Sequence, residues 1–194
     1  MKNQIAIVGL AILMACFVLA DKTIDWGFLF LNEPTSPSSQ LSFTTLSLGG
    51  MVSLNFDDGY ASAYQNGWPI IKASGLPSTH YIITNYLGRT GYMTGEEVLE
   101  MEKAGAEIGA HSRTHPHLAQ IDKYDLPWQI TGSREDLLKL GVKKVETFAY
   151  PYGSENELVI KAVEKAGFSG ARAFDIGLND GLTDKYRFHR WGVL

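Results

Sequence analysis

Downstream of Gly59 the chain alternates amphipathic runs at helical spacing with short runs rich in β-branched and aromatic residues. No other feature restricts the fold as much. Residues 61–74 read as a helix with Tyr64, Trp68 and Ile71 on one face, Pro69 forcing a kink or a restart, and Gly75 closing it. Residues 80–84 read as a strand. Thr94-Gly95-Glu96-Glu97 is a capping box that opens a helix ended by Gly105. A short strand at 107–110 then runs into His111. Residues 125–140 are helical, with Leu126, Ile130, Leu137 and Leu138 inward and Pro127 tolerated in the first turn. A strand at 145–149 follows. Ser154-Glu155-Asn156-Glu157 reads as a second capping box, whose helix buries Leu158, Val159, Ala162, Val163 and Ala166 and stops at Gly167. Residues 170–173 and 186–193 read as further strands. Strand alternating with helix predicts an α/β fold with a parallel sheet, open or closed into a barrel.

Such folds place their chemistry at the carboxyl ends of the strands. Residues 51–59 read M-V-S-L-N-F-D-D-G, a strand that stops at two adjacent carboxylates. Neighbouring strand residues point to opposite faces, so Asp57 and Asp58 can serve different tasks while staying close. Two ionised carboxylates that near one another call for a cation or a shared proton. Asp-Gly is also a common turn dipeptide, which is the plainer reading of the same residues. His111 and Tyr150-Pro151-Tyr152 also follow directly on predicted strands, so all three groups are expected on one rim.

His111-Ser112-Arg113-Thr114-His115 sets two imidazoles four residues apart at a strand exit, and this stretch with His117 holds three of the five histidines. If the loop coils through one helical turn, both rings reach one metal. Taken alone, the loop is an ordinary polar one. Two histidines and one aspartate leave an open position on zinc, the ligand count of catalytic sites.

The 194 residues suit one domain by the rule of roughly 100 to 200 residues per domain. A net charge of −4 offers no basic stripe, so nucleic acid is not an expected partner. Lys2 precedes an uncharged run from Ile5 to Ala20, short for a spanning helix and suited to a secretory signal or an N-terminal anchor. Val18-Leu19-Ala20 offers a cleavage site, and Leu13-Met14-Ala15-Cys16 looks like an acylation box, although apolar residues follow it. We therefore expect a leader at 1–20, a linker at 21–50 and a working domain at 51–194 that is exported, with membrane contact only through the leader. Cys16 is the sole cysteine, so no disulfide can staple that domain.

N-F-D-D-G at 55–59, H-S-R-T-H at 111–115 and F-A-Y-P-Y-G at 148–153 together resemble the polysaccharide deacetylase family, carbohydrate esterase family 4, built on the NodB homology domain. The resemblance covers about residues 51–194. It implies a distorted (β/α) barrel, with Asp57 as general base, Asp58, His111 and His115 as ligands of a divalent metal, most often zinc, and Tyr152 as a backbone oxyanion donor. Pro151 and Tyr152 would shape the groove wall. The implied reaction removes N-acetyl groups from an N-acetylhexosamine polymer. O-acetyl-xylan ester hydrolysis, a carbohydrate-binding module of weak activity and an intracellular amidohydrolase are the rivals.

Two departures from the family pattern stand out. Ala149 occupies the place where an arginine usually pairs with the catalytic aspartate, and Arg172 or Arg190 on later strands could supply that cation. A Leu-x-His motif that brings a proton donor does not appear before Leu194, and His189, between Phe188 and Arg190, fits it poorly. Either the sequence is partial, with the barrel open on one side, or the general acid is missing or borrowed.

Overall fold

The computed structural model describes residues 51–192. The expected leader with Cys16, the 21–50 linker and the last residue of the 186–193 strand lie outside the described residues. Six strands lie in one sheet in sequence order, every neighbouring pair parallel. They are β1 (Leu54–Phe56), β2 (Ser78–Ile82), β3 (Glu107–Ala110), β4 (Thr147–Ala149), β5 (Gly170–Ile176) and β6 (Phe188–Arg190). The sheet curls into an open half-barrel, with β1 and β6 as its edges among the described residues. The interior strand β2 is buried along its whole length, whereas edge strands β1 and β6 stay partly exposed.

The helices are α1 (Trp68–Ser74), α2 (Gly95–Lys103), α3 (Leu126–Leu140) and α4 (Glu157–Lys165). A π-helical turn, Ala63–Gly67, leads into α1, and Pro69 stands in the first turn of α1. Proline cannot donate back along a helix, so the restart expected at Pro69 takes this form. The Thr94–Glu97 capping box is present in both directions, Glu97 N–H to Thr94 Oγ1 at 3.2 Å and Thr94 N–H to Glu97 Oε2 at 2.7 Å. The second expected box is not formed. Asn156 caps α4, its Oδ1 accepting from Leu158 N–H and Val159 N–H at 3.0 Å each, while Ser154 Oγ accepts from Ala119 N–H. Within α4 the buried stripe runs through Val159, Ile160 and Val163, and Leu158 in the first turn is exposed. Leu138 is likewise exposed rather than inward, because Leu126, Ile130 and Leu137 already fill the stripe of α3 that faces the sheet. The first strand begins at Leu54, later than the alternation suggested, with Met51 and Val52 left in solvent.

The core lies between sheet and helices. Ile82, Ile108 and Phe148 from the strands meet Val98, Met101, Ile130, Leu137, Val159 and Val163 from the helices. Each such side chain contributes about 1.5–3 kcal/mol on burial. That core holds the carboxyl ends of β1, β3, β4 and β5 on one rim.

Candidate metal centre and active site

The candidate site is built from the residues that leave those four strands. Four non-glycine residues of the described chain have positive φ: Asp58 (71°), Ser112 (61°), His115 (59°) and Tyr152 (57°). All four belong to this rim. Left-handed backbone is uncommon outside glycine, and where it clusters the surrounding structure holds the chain in a required shape. Asp58, followed by Gly59 at 76°, turns sharply as it leaves β1. The Asp-Gly turn and the carboxylate site are thus the same piece of backbone.

Asp58, His111 and His115 converge. Asp58 Oδ1 lies 3.4 Å from His111 Nε2 and 3.2 Å from His115 Nε2, and the two Nε2 atoms are 3.1 Å apart. The loop does not reach this geometry by coiling through a helical turn, as the sequence suggested. Two left-handed residues, Ser112 and His115, fold it back instead, with His115 N–H donating to Ser112 Oγ at 3.0 Å.

His111 Nδ1 is 2.7 Å from the Ala149 carbonyl oxygen. A carbonyl can only accept, so Nδ1 carries the hydrogen and Nε2 presents its lone pair to the cluster. Burial, then the neighbouring His111, pushes the His115 pKa down, which favours a second bare nitrogen. Asp58 Oδ1 is buried without a hydrogen-bond partner. An orphaned anionic oxygen facing two imidazole lone pairs is a donor set that a divalent cation fits.

The histidine loop is fastened from two sides. Thr84 and Asn85, after β2, donate their N–H groups to the carbonyls of Ser112 and Arg113 at 3.2 and 3.1 Å. From α3, Gln129 Oε1 accepts Arg113 N–H and Thr114 N–H at 3.1 Å each, and Gln129 Nε2 donates to Thr114 Oγ1 at 2.6 Å. The Arg113 side chain crosses α3 to Asp136 in a two-pronged pair, 2.7 Å at Nε and 2.7 Å at Nη2, beside the Trp128 ring. Thr84 Oγ1 donates to the same carboxylate at 3.0 Å. Gly132 leaves the room for this crossing, since a Cβ there would stand 2.4 Å from Arg113 Cζ.

Asp57 receives a hydrogen bond at Oδ1 from Arg172 Nη2. Arg172 is buried on β5, directly paired across the sheet with Ala149. Arg190 makes no hydrogen bond to Asp57. Its guanidinium lies over the Phe174 ring at 3.5 Å from the centroid, and burial, then the charge of Arg172, lowers its pKa. The Tyr152 ring, 56% exposed, stacks on His117 at 4.1 Å and leans against His115 at 4.4 Å. Pro151 is buried behind it. Tyr150 does not reach the rim, because its side chain turns into the core and donates to the Tyr186 carbonyl at 3.1 Å. His189 Nδ1 sits 3.2 Å from the Leu178 carbonyl oxygen and ties β6 to the loop before it.

Sequence reasoning missed Gln129, Asp136 and the two-pronged Arg113. Two signals pointed there. Gln129 is a polar residue beside the apolar Ile130 of α3, and Gly132 stands mid-helix, where a glycine usually marks a close approach.

An Asp–His–His centre beside a carboxylate–guanidinium pair, all at the carboxyl ends of parallel strands, defines a candidate metal site on an open (β/α) barrel. Residues 48–171 match the polysaccharide deacetylase family profile, and the chain belongs to that family. A poly-β-1,6-N-acetyl-D-glucosamine N-deacetylase of Staphylococcus aureus is 31% identical over 160 residues, covering 75% of this chain and 54% of the relative. The chain spans about half the length of the curated relatives it matches. Among solved structures, the BpsB deacetylase domain from Bordetella bronchiseptica superposes with a TM-score of 0.66 at 18% identity, covering 71% of this chain and 69% of that one. A family 4 carbohydrate esterase from Streptomyces lividans in complex with acetate gives 0.58 at 25% identity, covering 66% and 64%.

Proposed function

We propose that this protein is a metal-dependent deacetylase that hydrolyses N-acetyl groups on an N-acetylhexosamine polymer. The observation that carries the reading is the convergence of Asp58, His111 and His115 beside an Asp57 already engaged by Arg172. Asp58 Oδ1 and the two Nε2 atoms would hold a divalent ion, with zinc the best match to a nitrogen-rich, three-ligand set. When bound, such an ion supplies Lewis-acid polarisation of the acyl oxygen and of water.

The protein's own groups do the rest. Arg172 fixes Asp57 through Oδ1, leaving Oδ2 as the oxygen to take a proton from the attacking water. The Ala149 carbonyl keeps the His111 tautomer that points its lone pair inward. The Tyr152 backbone, held at positive φ with its ring against His115, is the donor assigned to the developing oxyanion, a contribution of a few kcal/mol in sites of this kind. The exposed Tyr152 ring offers a face to a sugar.

The S. aureus relative named for N-deacetylation supports an amide rather than an ester substrate. The location proposed is outside the cytoplasmic membrane, with residues 1–20 as a leader or anchor, on the strength of Lys2 and the apolar run behind it.

Acetate release from β-1,6- and β-1,4-linked N-acetylglucosamine oligomers tests the function. Release that stops with a chelator and returns with zinc is the expected result. Binding without release would instead favour a carbohydrate-binding module, and release from acetyl-xylan alone would favour the esterase.

A further inference from the structure

A second group of aromatic rings borders the site, away from Tyr152. Tyr60 follows Asp58 and Gly59 directly as the chain leaves β1, and its backbone is bridged to Tyr92 in the loop between β2 and α2. The two rings stack at 5.0 Å with 27° between their planes. Tyr86 meets Tyr92 edge-on at 5.0 Å, and its hydroxyl donates to the Thr114 carbonyl at 3.4 Å, inside the histidine loop. Arg89 caps the outer face of this group, 4.7 Å from the Tyr86 ring centroid. Tyr60 remains 45% exposed and stands two residues along the chain from Asp58.

Strand order decides the layout. The histidines leave β3, the Tyr60–Tyr92–Tyr86 group belongs to β1 and β2, and Tyr152 belongs to β4. In strand order, the two aromatic groups therefore stand on either side of β3, which carries the histidines. Of the three rings Tyr60 is exposed to water, while Tyr86 and Tyr92 are half-buried. A pyranose ring suits such an exposed aromatic, because it has an apolar C–H face that the aromatic can cover and hydroxyls at its rim for a guanidinium.

We propose that Tyr60 and Tyr92, with Arg89 over the adjoining Tyr86, form a sugar-binding subsite that holds a hexosamine unit next to the one being deacetylated, so that the polymer runs from the β1–β2 side to Tyr152. The proposal rests on the polysaccharide reading above. It assigns this chain a preference for oligomers over single sugars, set by residues outside the reaction centre.

Calorimetric binding of short and long N-acetylglucosamine oligomers tests it, with acetate release measured on the same samples and zinc content checked in every variant. Tyr60→Ala is expected to weaken binding of long oligomers about tenfold, the loss of one aromatic face, and to flatten the dependence on length. Tyr60→Phe, which keeps the ring, is expected to bind as the wild type does, and Tyr92→Ala to follow Tyr60→Ala. Wild-type binding retained by both alanine variants at every length would overturn the subsite. Wild-type protein that binds long oligomers, loses them with Tyr60→Ala and yet releases no acetate would overturn the deacetylase reading and leave the subsite standing. Wild-type protein that binds no oligomer of any length would overturn both.

Discussion

Arg172 is the guanidinium that meets Asp57, and it reaches the carboxylate from β5, beside the methyl group of Ala149 on β4. Residues paired across neighbouring strands point to the same face of a sheet. The cation lost at position 149 is thus regained one strand over, in the same layer, and the small Ala149 side chain leaves its path open. Arg172 Nε is buried without a partner, so its alignment depends chiefly on the Asp57 contact.

Removing that contact should harm the reaction more than the fold. Arg172→Met is expected to lower kcat for acetate release about a hundredfold, within the range set by general-base positioning. Zinc affinity should stay unchanged. Adding Ala149→Arg to that variant should return part of the rate, since the new guanidinium enters the same layer. Wild-type kcat in Arg172→Met would show that Asp57 needs no partner.

The Gln129 side chain satisfies two N–H groups of the histidine loop at once. Gln129→Leu keeps the bulk and strands both donors. The expected cost is about 1–3 kcal/mol, read as a lower urea midpoint at unchanged slope. An unchanged midpoint would mean that the loop holds its shape without α3.

Gly132→Ala separates helix stability from site geometry. Alanine favours a helix interior over glycine by about 1 kcal/mol, but at this buried position its Cβ would stand 2.4 Å from Arg113 Cζ. The guanidinium can swing away, so the fold should survive while the Arg113–Asp136 pair breaks. Thermal stability is expected to change little and zinc affinity to fall severalfold, with Asp136→Asn moving zinc affinity the same way. Equal zinc affinity in all three proteins would dissociate this pair from the site.

How much of this was legible depended on which interactions are local in sequence. The strand–helix alternation, the Thr94–Glu97 box and the three motifs are local, and each led to the right part of the fold. The start of α4 did not follow the same rule, because Ser154 and Asn156 are both good caps and the choice was made by Ala119, distant in sequence, whose N–H takes the Ser154 hydroxyl. The positive φ values of Asp58, Ser112, His115 and Tyr152 were hidden for a similar reason. Residue type disfavours them, and only the packed surroundings impose them. Arg172 could be named as one of two candidates from the missing arginine at 149, but choosing it over Arg190 needed the register of β4 on β5.

His80 gives the protein a defined acid sensitivity. It is fully buried, stacked on Phe56 at 4.9 Å with Ser78 Oγ 3.1 Å from Nε2, and burial lowers its pKa from 6.5 to about 4. The native state holds the ring neutral, so below pH 6.5 the unfolded chain binds a proton that the folded one refuses. Stability present above 6.5 is therefore lost as the pH falls towards about 4, by about 3 kcal/mol over the window. The measurement is the urea midpoint against pH for wild type and His80→Gln. A smaller acid loss in the variant is expected, and parallel curves would remove His80 as the cause.

Calorimetric titration of the metal-stripped protein with zinc reaches the central claim most directly. Saturation at one ion per chain is predicted, with that binding abolished in Asp58→Asn, His111→Ala and His115→Ala while each variant keeps the wild-type circular dichroism. A wild-type chain that takes up no ion, or folded variants that take it up as well as wild type does, would contradict a metal centre at Asp58, His111 and His115.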